Sequence, residues 1–225
     1  VFLAKTTMAR DFLQSRGVSE VEVLPVGLDT TRFETMAEST PDNSMLSGLR
    51  PRYSRILLYV GRLERRRNPL LLLDIAAAMR DDTALILVGD GPMRDAVSAR
   101  IDELDLENVV MTGPLGQEAL PAVYRQSNAF LLACDYELHG MVLLEALYFG
   151  VPCVTTKTAG GVDIIGANHA GTVVDGYCLE EWVEAIHRAS RIGEEKNIQK
   201  RLRKLVDSEF SWNHIAKQYL AYVNL

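Results

Sequence analysis

Ile56-Leu57-Leu58-Tyr59-Val60-Gly61 and Ala84-Leu85-Ile86-Leu87-Val88-Gly89-Asp90-Gly91-Pro92 are the two stretches that decide the fold. Each is a short, unbroken apolar run that stops at glycine, the pattern of a strand buried on both faces. Between them, Leu70 to Met79 is rich in Leu and Ala and long enough for a helix. After the second run, Pro92 suits the first turn of another helix reaching about Leu104. Outward from this pair the alternation repeats. Strands are predicted at Val109–Met111, Ala129–Leu132, Pro152–Thr155 and Thr172–Val174. Helices are predicted at Glu118–Arg125 and Gly140–Tyr148, after the glycine turn at Gly160-Gly161, and from Leu179 and Glu194. Buried strands alternating with helices are βαβ units, so the expected class is α/β with a doubly wound parallel sheet.

Two regions fall outside that rhythm. Residues 35–54 are polar, with Ser, Thr, Pro, Asp and Asn, and read as a surface loop. Residues 1–34 read as the end of another unit plus a linker, with a strand at Val1–Ala4, a helix after Thr6 and a strand from Val21 to Pro25. The main domain then spans 55–208, and 209–225 forms a terminal helix with Trp212, Ile215, Tyr219 and Tyr222 at helical spacing. That stripe could pack on this domain or on another one.

Composition narrows the function classes. The 225 residues are 48% hydrophobic and 24% charged, as in an ordinary globular protein. The formal charge of -6 speaks against a nucleic-acid binder. No apolar run reaches the roughly 18–20 residues of a membrane-spanning helix, and no secretory leader is expected. The three cysteines, Cys134, Cys153 and Cys178, lack paired spacing, so neither a disulfide framework nor a zinc site is expected and a reducing cytoplasm suits them.

Ligands of open parallel sheets bind beyond the carboxyl ends of the strands. Three segments fall there. Gly61-Arg62 opens a loop that also carries Arg65, Arg66 and Arg67, either a solvated turn or an anion site. Gly89-Asp90-Gly91-Pro92 is a tight strand-to-helix turn, weak alone. The third runs from Glu137 through Gly140 to Glu145. Gly140 opens a helix whose free N–H groups and dipole suit a diphosphate. Glu145 lies among apolar residues, where an unpaired carboxylate is costly. A nearby Arg or Lys, or the two adjacent hydroxyls of a ribose, would satisfy it.

These stretches resemble the retaining glycosyltransferases of the GT-B fold, in the large family 4, or group 1. Glu137 through Ala146 matches that family's E-x-F-G-x-x-x-x-E-A, followed by Gly150-Val151-Pro152. Val60 through Arg67 approaches V-G-R-L-x-x-x-K, Val88 through Pro92 matches V-G-x-G-P, and Gly27 through Phe33 matches the linker signature G-x-D-x-x-x-F. The resemblance implies the Rossmann-like second domain of a GT-B fold, which holds the nucleotide-sugar donor. It implies that Arg62 and Arg67 hold the diphosphate, Glu137 the hydroxyls of the transferred sugar, and Glu145 the ribose. It implies donor contacts from Gly61, His139, Gly140, Met141 and Val142, with the base near Gly113 and Leu115. Two positions depart from the pattern: Arg67 stands for lysine and His139 for phenylalanine.

The implied activity is transfer of a sugar from a nucleoside-diphosphate sugar to a glycan or lipid-linked acceptor with retention, without metal or other cofactor. The wording around Gly140 to Gly150 is similar to bacterial enzymes of polysaccharide assembly, for which peripheral membrane association of the full-length enzyme is compatible. The acceptor domain would be missing, so binding without turnover is expected, and the Trp212–Tyr222 stripe could drive a homodimer. Competing expectations are a metal-dependent GT-A transferase using Asp135-Tyr136-Glu137, a sugar-nucleotide epimerase, and a non-catalytic nucleotide- or protein-binding module.

Overall fold

The computed structural model describes residues 1–39 and 48–223. Its first elements are a small parallel pair, β1 (Phe2–Ala4) and β2 (Val21–Val23), joined through helix α1 (Thr7–Ser15). Thr6 caps α1 by accepting from the Ala9 amide. The carboxylate of Asp163, far along the chain, receives both the Thr7 amide, at 2.8 Å, and the Thr7 hydroxyl. An acidic group at the start of α1 suits its exposed N–H groups and dipole.

Helix α2 (Thr30–Ser39) follows. The polar stretch expected to be a loop from residue 35 is therefore helical through residue 39; its residues 40–47 lie outside the described part. Two forces override its weak helix signal. Asp29 accepts from the Arg32 amide at 3.1 Å as a cap, and Phe33 packs edge-on against Tyr148 and tilted against Phe149, both at 5.9 Å. Leu49 and Tyr53, at the far end of the same stretch, belong to the buried core.

The main sheet comprises β3 (Arg55–Val60), β4 (Thr83–Val88), β5 (Val109–Gly113), β6 (Ala129–Leu132), β7 (Cys153–Thr156) and β8 (Gly171–Val174). The strand order is β5-β4-β3-β6-β7-β8, and every pairing is parallel. Helices α3 (Pro69–Ala78), α4 (Arg94–Glu103) and α7 (Leu179–Gly193) pack in one layer, as α3 touches both others. Helices α5 (Leu120–Arg125), α6 (Met141–Tyr148), α8 (Ile198–Glu209) and α9 (Trp212–Val223) complete the fold, with α8 against both α6 and α9. Strands β3, β4 and β6 are almost wholly buried because helices cover both faces. The predicted doubly wound class is what forms.

Smaller departures have local causes. The second late helix starts at Ile198 instead of Glu194, since Asn197 sits at φ 70° in the left-handed region and separates it from α7. The turn at Gly160-Gly161 leads into a π-helical segment, Gly161–Gly166. On α9, Ile215 is buried while Trp212, Tyr219, Leu220 and Val223 are exposed, so only one edge of the stripe packs on this domain. Among the described residues no helix is long and apolar enough to cross a membrane. Cys134 and Cys153 are buried and Cys178 is exposed, all as free thiols.

Candidate functional site

The order of the sheet reverses between β3 and β6, which carry the first and fourth strands of the doubly wound unit. In folds of this class ligands bind beyond the carboxyl ends of the strands at such a reversal. The predicted segments meet at this place.

The tips of β3, β4 and β5 are laced backbone to backbone. The Gly61 amide donates to the Val88 carbonyl at 3.0 Å, the Gly89 amide to Gly113 at 2.9 Å, and the Leu63 amide to Asp90 at 2.9 Å. A Cβ on Gly89 would lie 1.9 Å from the Gly61 carbonyl oxygen, and Gly89 has φ +130°. The turn Gly89–Pro92 thus owes its glycine to the neighbouring loop. The buried Tyr59 hydroxyl donates to the Arg62 carbonyl at 2.7 Å, fixing the start of the arginine loop from beneath.

That loop makes a short 3-10 turn at Arg65–Arg67 and leaves through Asn68 in the left-handed conformation, φ 44°. Asn68 then donates to the Ala133 carbonyl and to Asp135, at 3.3 and 2.9 Å. The Asp135 amide returns a hydrogen bond to the Arg66 carbonyl at 2.9 Å. Loop β3–α3 is thereby bound to loop β6–α6 across the reversal. Tyr177 adds a 2.6 Å bond to Asp135 from the loop after β8, and these donors hold the Asp135 carboxyl below its usual range.

The consequence is a contact between Arg67 and Glu137. One guanidinium nitrogen of Arg67 lies 2.7 Å from Glu137 Oε2, and the two side chains are 17% and 16% exposed. Glu137 Oε1 accepts from the Gly140 amide at 3.1 Å. Gly140 itself stands at φ 75°, ψ 64° as the residue before α6. The carboxylate of Glu137 therefore sits where the helix end and a cation converge, the seat predicted for an anion. Burial acts to lower the Arg67 pKa, but the Glu137 charge and hydrogen bond outweigh it, so the guanidinium is held firmly protonated.

Arg62 is placed differently. Its side chain is 68% exposed, with Nε 3.9 Å from Glu64 Oε2. The arginine that reaches the α6 end, through Glu137, is Arg67, because the 3-10 turn carries it inward while Arg62 leaves the strand toward solvent. Gly61 stays with the laced strand tips. Met141 and Val142 supply the first-turn N–H groups of α6. Gly113 closes β5 at φ +71° with open space where a Cβ would stand, and Leu115 is half-buried against the core.

Glu145, a turn further into α6, forms no ion pair with an Arg or Lys among the described residues. Its Oε2 accepts instead from the Tyr124 hydroxyl at 3.0 Å. Burial raises the Glu145 pKa, and the Tyr124 hydrogen bond opposes that rise. His139 is buried and its Nε2 lies 2.8 Å from the Val26 carbonyl oxygen, so the ring carries its proton there and ties the segment after β2 to the β6–α6 loop. Its backbone carbonyl lies against Gly160, where a Cβ would come within 2.4 Å.

Burial lowers the His139 pKa, only partly countered by the Val26 hydrogen bond. A histidine kept neutral in the fold takes up its proton on unfolding, so its stabilisation is complete above the unfolded value near 6.5 and is lost as pH falls through the lower folded value. His139→Phe is expected to remove that part of the acid sensitivity, read as a flatter dependence of denaturation midpoint on pH below about 6.5. An unchanged slope would assign the sensitivity elsewhere.

Tyr124, Tyr59, Asn68 and Gly160 were not singled out from sequence. A tyrosine inside an apolar run needs a partner for its hydroxyl, and that signal was available for Tyr59 and Tyr124. Among the described residues no group of three or more His, Cys, Asp or Glu side chains could hold a metal ion, so Asp135-Tyr136-Glu137 forms no such cluster.

A six-stranded parallel sheet wound on both faces, with its order reversing between β3 and β6, is a Rossmann-like domain, the class that binds ligands at that reversal. The chain belongs to the family described as Glycosyl transferases group 1, which matches residues 47–205. It is 32% identical over 201 residues to a GDP-mannose-dependent alpha-(1-6)-phosphatidylinositol monomannoside mannosyltransferase of Mycolicibacterium smegmatis, covering 82% of this chain and 51% of that protein. The chain thus spans about half the length of the curated relatives it matches. Among solved structures it resembles Anabaena Alr3699/HepE in complex with UDP, with TM-score 0.80, 20% identity, and 99% of this chain against 63% of that one. It likewise resembles the apo form of the lipopolysaccharide outer core galactosyltransferase WaaB, with TM-score 0.78, 22% identity, and 99% against 62%.

Proposed function

We propose that this chain is the donor-binding half of an enzyme that moves a sugar from a nucleoside-diphosphate sugar to a glycan or lipid-linked acceptor, retaining the anomeric configuration. The observation that carries this reading is the meeting of Arg67, Glu137 and the amino end of α6 at the sheet reversal. The diphosphate takes the helix end and the Arg67 guanidinium, with Arg62 closing from solvent. Glu137 then gives up the Gly140 amide and turns to hydroxyls of the transferred sugar, while Glu145 takes the ribose. The base lies beside Gly113 and Leu115.

In the reaction the bond between the anomeric carbon and the phosphate oxygen breaks, and its electron pair leaves with the diphosphate. Once Glu137 has turned away, Arg67 and the α6 N–H groups stabilise that developing charge. The acceptor hydroxyl adds to the same face of the sugar, and its proton passes to the departing phosphate oxygen. No metal ion is needed when these groups supply the positive charge. Glu137 positions the sugar without forming a bond to it. These residues alone bind the donor but do not turn it over, since the acceptor needs the facing domain of the GT-B arrangement.

The named activity of the mycobacterial relative makes GDP-mannose the first donor to try, and the UDP of the Anabaena structure makes UDP-sugars the second. Calorimetric titration with GDP, UDP and ADP, each with a chelator present, is the test. One of the three is expected to bind in the micromolar range without a divalent cation. Absence of binding for all three, or binding that demands manganese, would defeat the proposal.

A further inference from the structure

We propose that Tyr124 is a positioning residue for the ribose: its hydroxyl holds one oxygen of Glu145, so that the carboxylate presents a fixed pair of acceptors to two neighbouring sugar hydroxyls. This rests on the donor-site reading above.

The geometry has three parts. Tyr124 is fully buried on α5, and its hydroxyl donates to Glu145 Oε2 at 3.0 Å. Its ring is clamped, stacked on Phe149 at 5.4 Å and 14° and tilted on Phe130 at 6.0 Å. Phe149 in turn packs on Phe33 of the linker helix α2. The phenol has no room to follow a wandering carboxylate, so the carboxylate must come to the phenol. A side chain of three rotatable bonds is thus pinned at one oxygen, and pinning one oxygen sets the plane of both.

The second consequence concerns charge. A ribose offering two O–H donors needs an ionised carboxylate, because a protonated one has an O–H of its own in the way. Burial drives Glu145 toward its neutral form, and the Tyr124 hydrogen bond is the interaction that resists. Among the described residues no charged side chain contributes to either effect at Glu145. Tyr124 in turn feels Glu145 itself and the buried Cys153 thiol of β7, and burial, the largest effect, keeps the phenol protonated as a donor. Removing the hydroxyl therefore both frees the carboxylate to rotate and lets it protonate at higher pH.

Tyr124→Phe keeps the ring and all its stacking. The experiment compares GDP and UDP with their 2′-deoxy counterparts by calorimetry, for the wild type, Tyr124→Phe and Glu145→Ala, across a pH series. The wild type is expected to prefer the ribonucleotide and to lose that preference on acidification. Tyr124→Phe is expected to lose about tenfold in affinity for the ribonucleotide, from the value of one hydrogen bond to a charged group, while the deoxy form changes little. Whatever preference it keeps should vanish at a higher pH than in the wild type. If Glu145→Ala abolishes the preference but Tyr124→Phe leaves both its size and its pH midpoint untouched, Tyr124 is packing only and the proposal falls. If neither variant alters the preference, the ribose role of Glu145 falls as well, and this inference with it.

Discussion

Arg67→Ala is expected to lower affinity for the nucleoside diphosphate by about a hundredfold, the scale of removing a charge-assisted contact from a partly desolvated site. The variant strikes twice. It removes the cation that would meet the phosphate, and it leaves Glu137, only 16% exposed, as a carboxylate on the helix end without its counter-charge. Breaking one side of such a pair also destabilises the fold, here by about 2–3 kcal/mol because some solvent reaches both partners. Arg67→Lys separates the effects: the charge stays, the planar fork goes, and a loss of about tenfold remains. Calorimetry at fixed ionic strength measures the first quantity and urea denaturation the second. Affinity within twofold of the wild type for Arg67→Ala would remove the diphosphate from this corner of the crevice.

Gly89→Ala should be among the most damaging single methyl additions in the domain, at about 3–5 kcal/mol. The added carbon would sit 1.9 Å from the carbonyl oxygen of Gly61, in a backbone at φ +130° that alanine avoids. Neither party can yield cheaply. The clashing atom is main chain in the adjacent strand tip, and the Gly89 amide is already committed to Gly113. Chemical denaturation should show a lower midpoint with an unchanged m value, since the extent of the folded core is the same. A variant as stable as the wild type would mean that the strand tips are free to part.

The strands were plain in the sequence because residues such as Ile56–Val60 and Ala84–Val88 leave no polar face for solvent, and only a sheet covered on both sides accepts them. The same pattern put the candidate segments after the carboxyl ends of the strands, where Gly61, Gly89 and Glu137 lie. What stayed hidden was decided by tertiary contact. Residues 35–39 carry little helical periodicity, and it is the Phe33 ring against Tyr148 and Phe149 that seats α2. Arg62 and Arg67 are the same residue type in the same loop, and only the 3-10 turn after Glu64 tells which of them turns inward. The Tyr124 hydroxyl lies 21 positions from Glu145, a pairing that no local spacing announces. His139 reads as a departure from a motif, and its reason is a carbonyl in the linker, 113 residues away.

Two threads stitch the opening segment of the chain to the loops beside the crevice: Thr7 to Asp163, and Val26 to the ring of His139. They lie on either side of the β2 strand, so the segment between them behaves as a plank nailed at both ends. The inner nail is driven into the same four-residue stretch, Glu137 to Gly140, that grips Arg67.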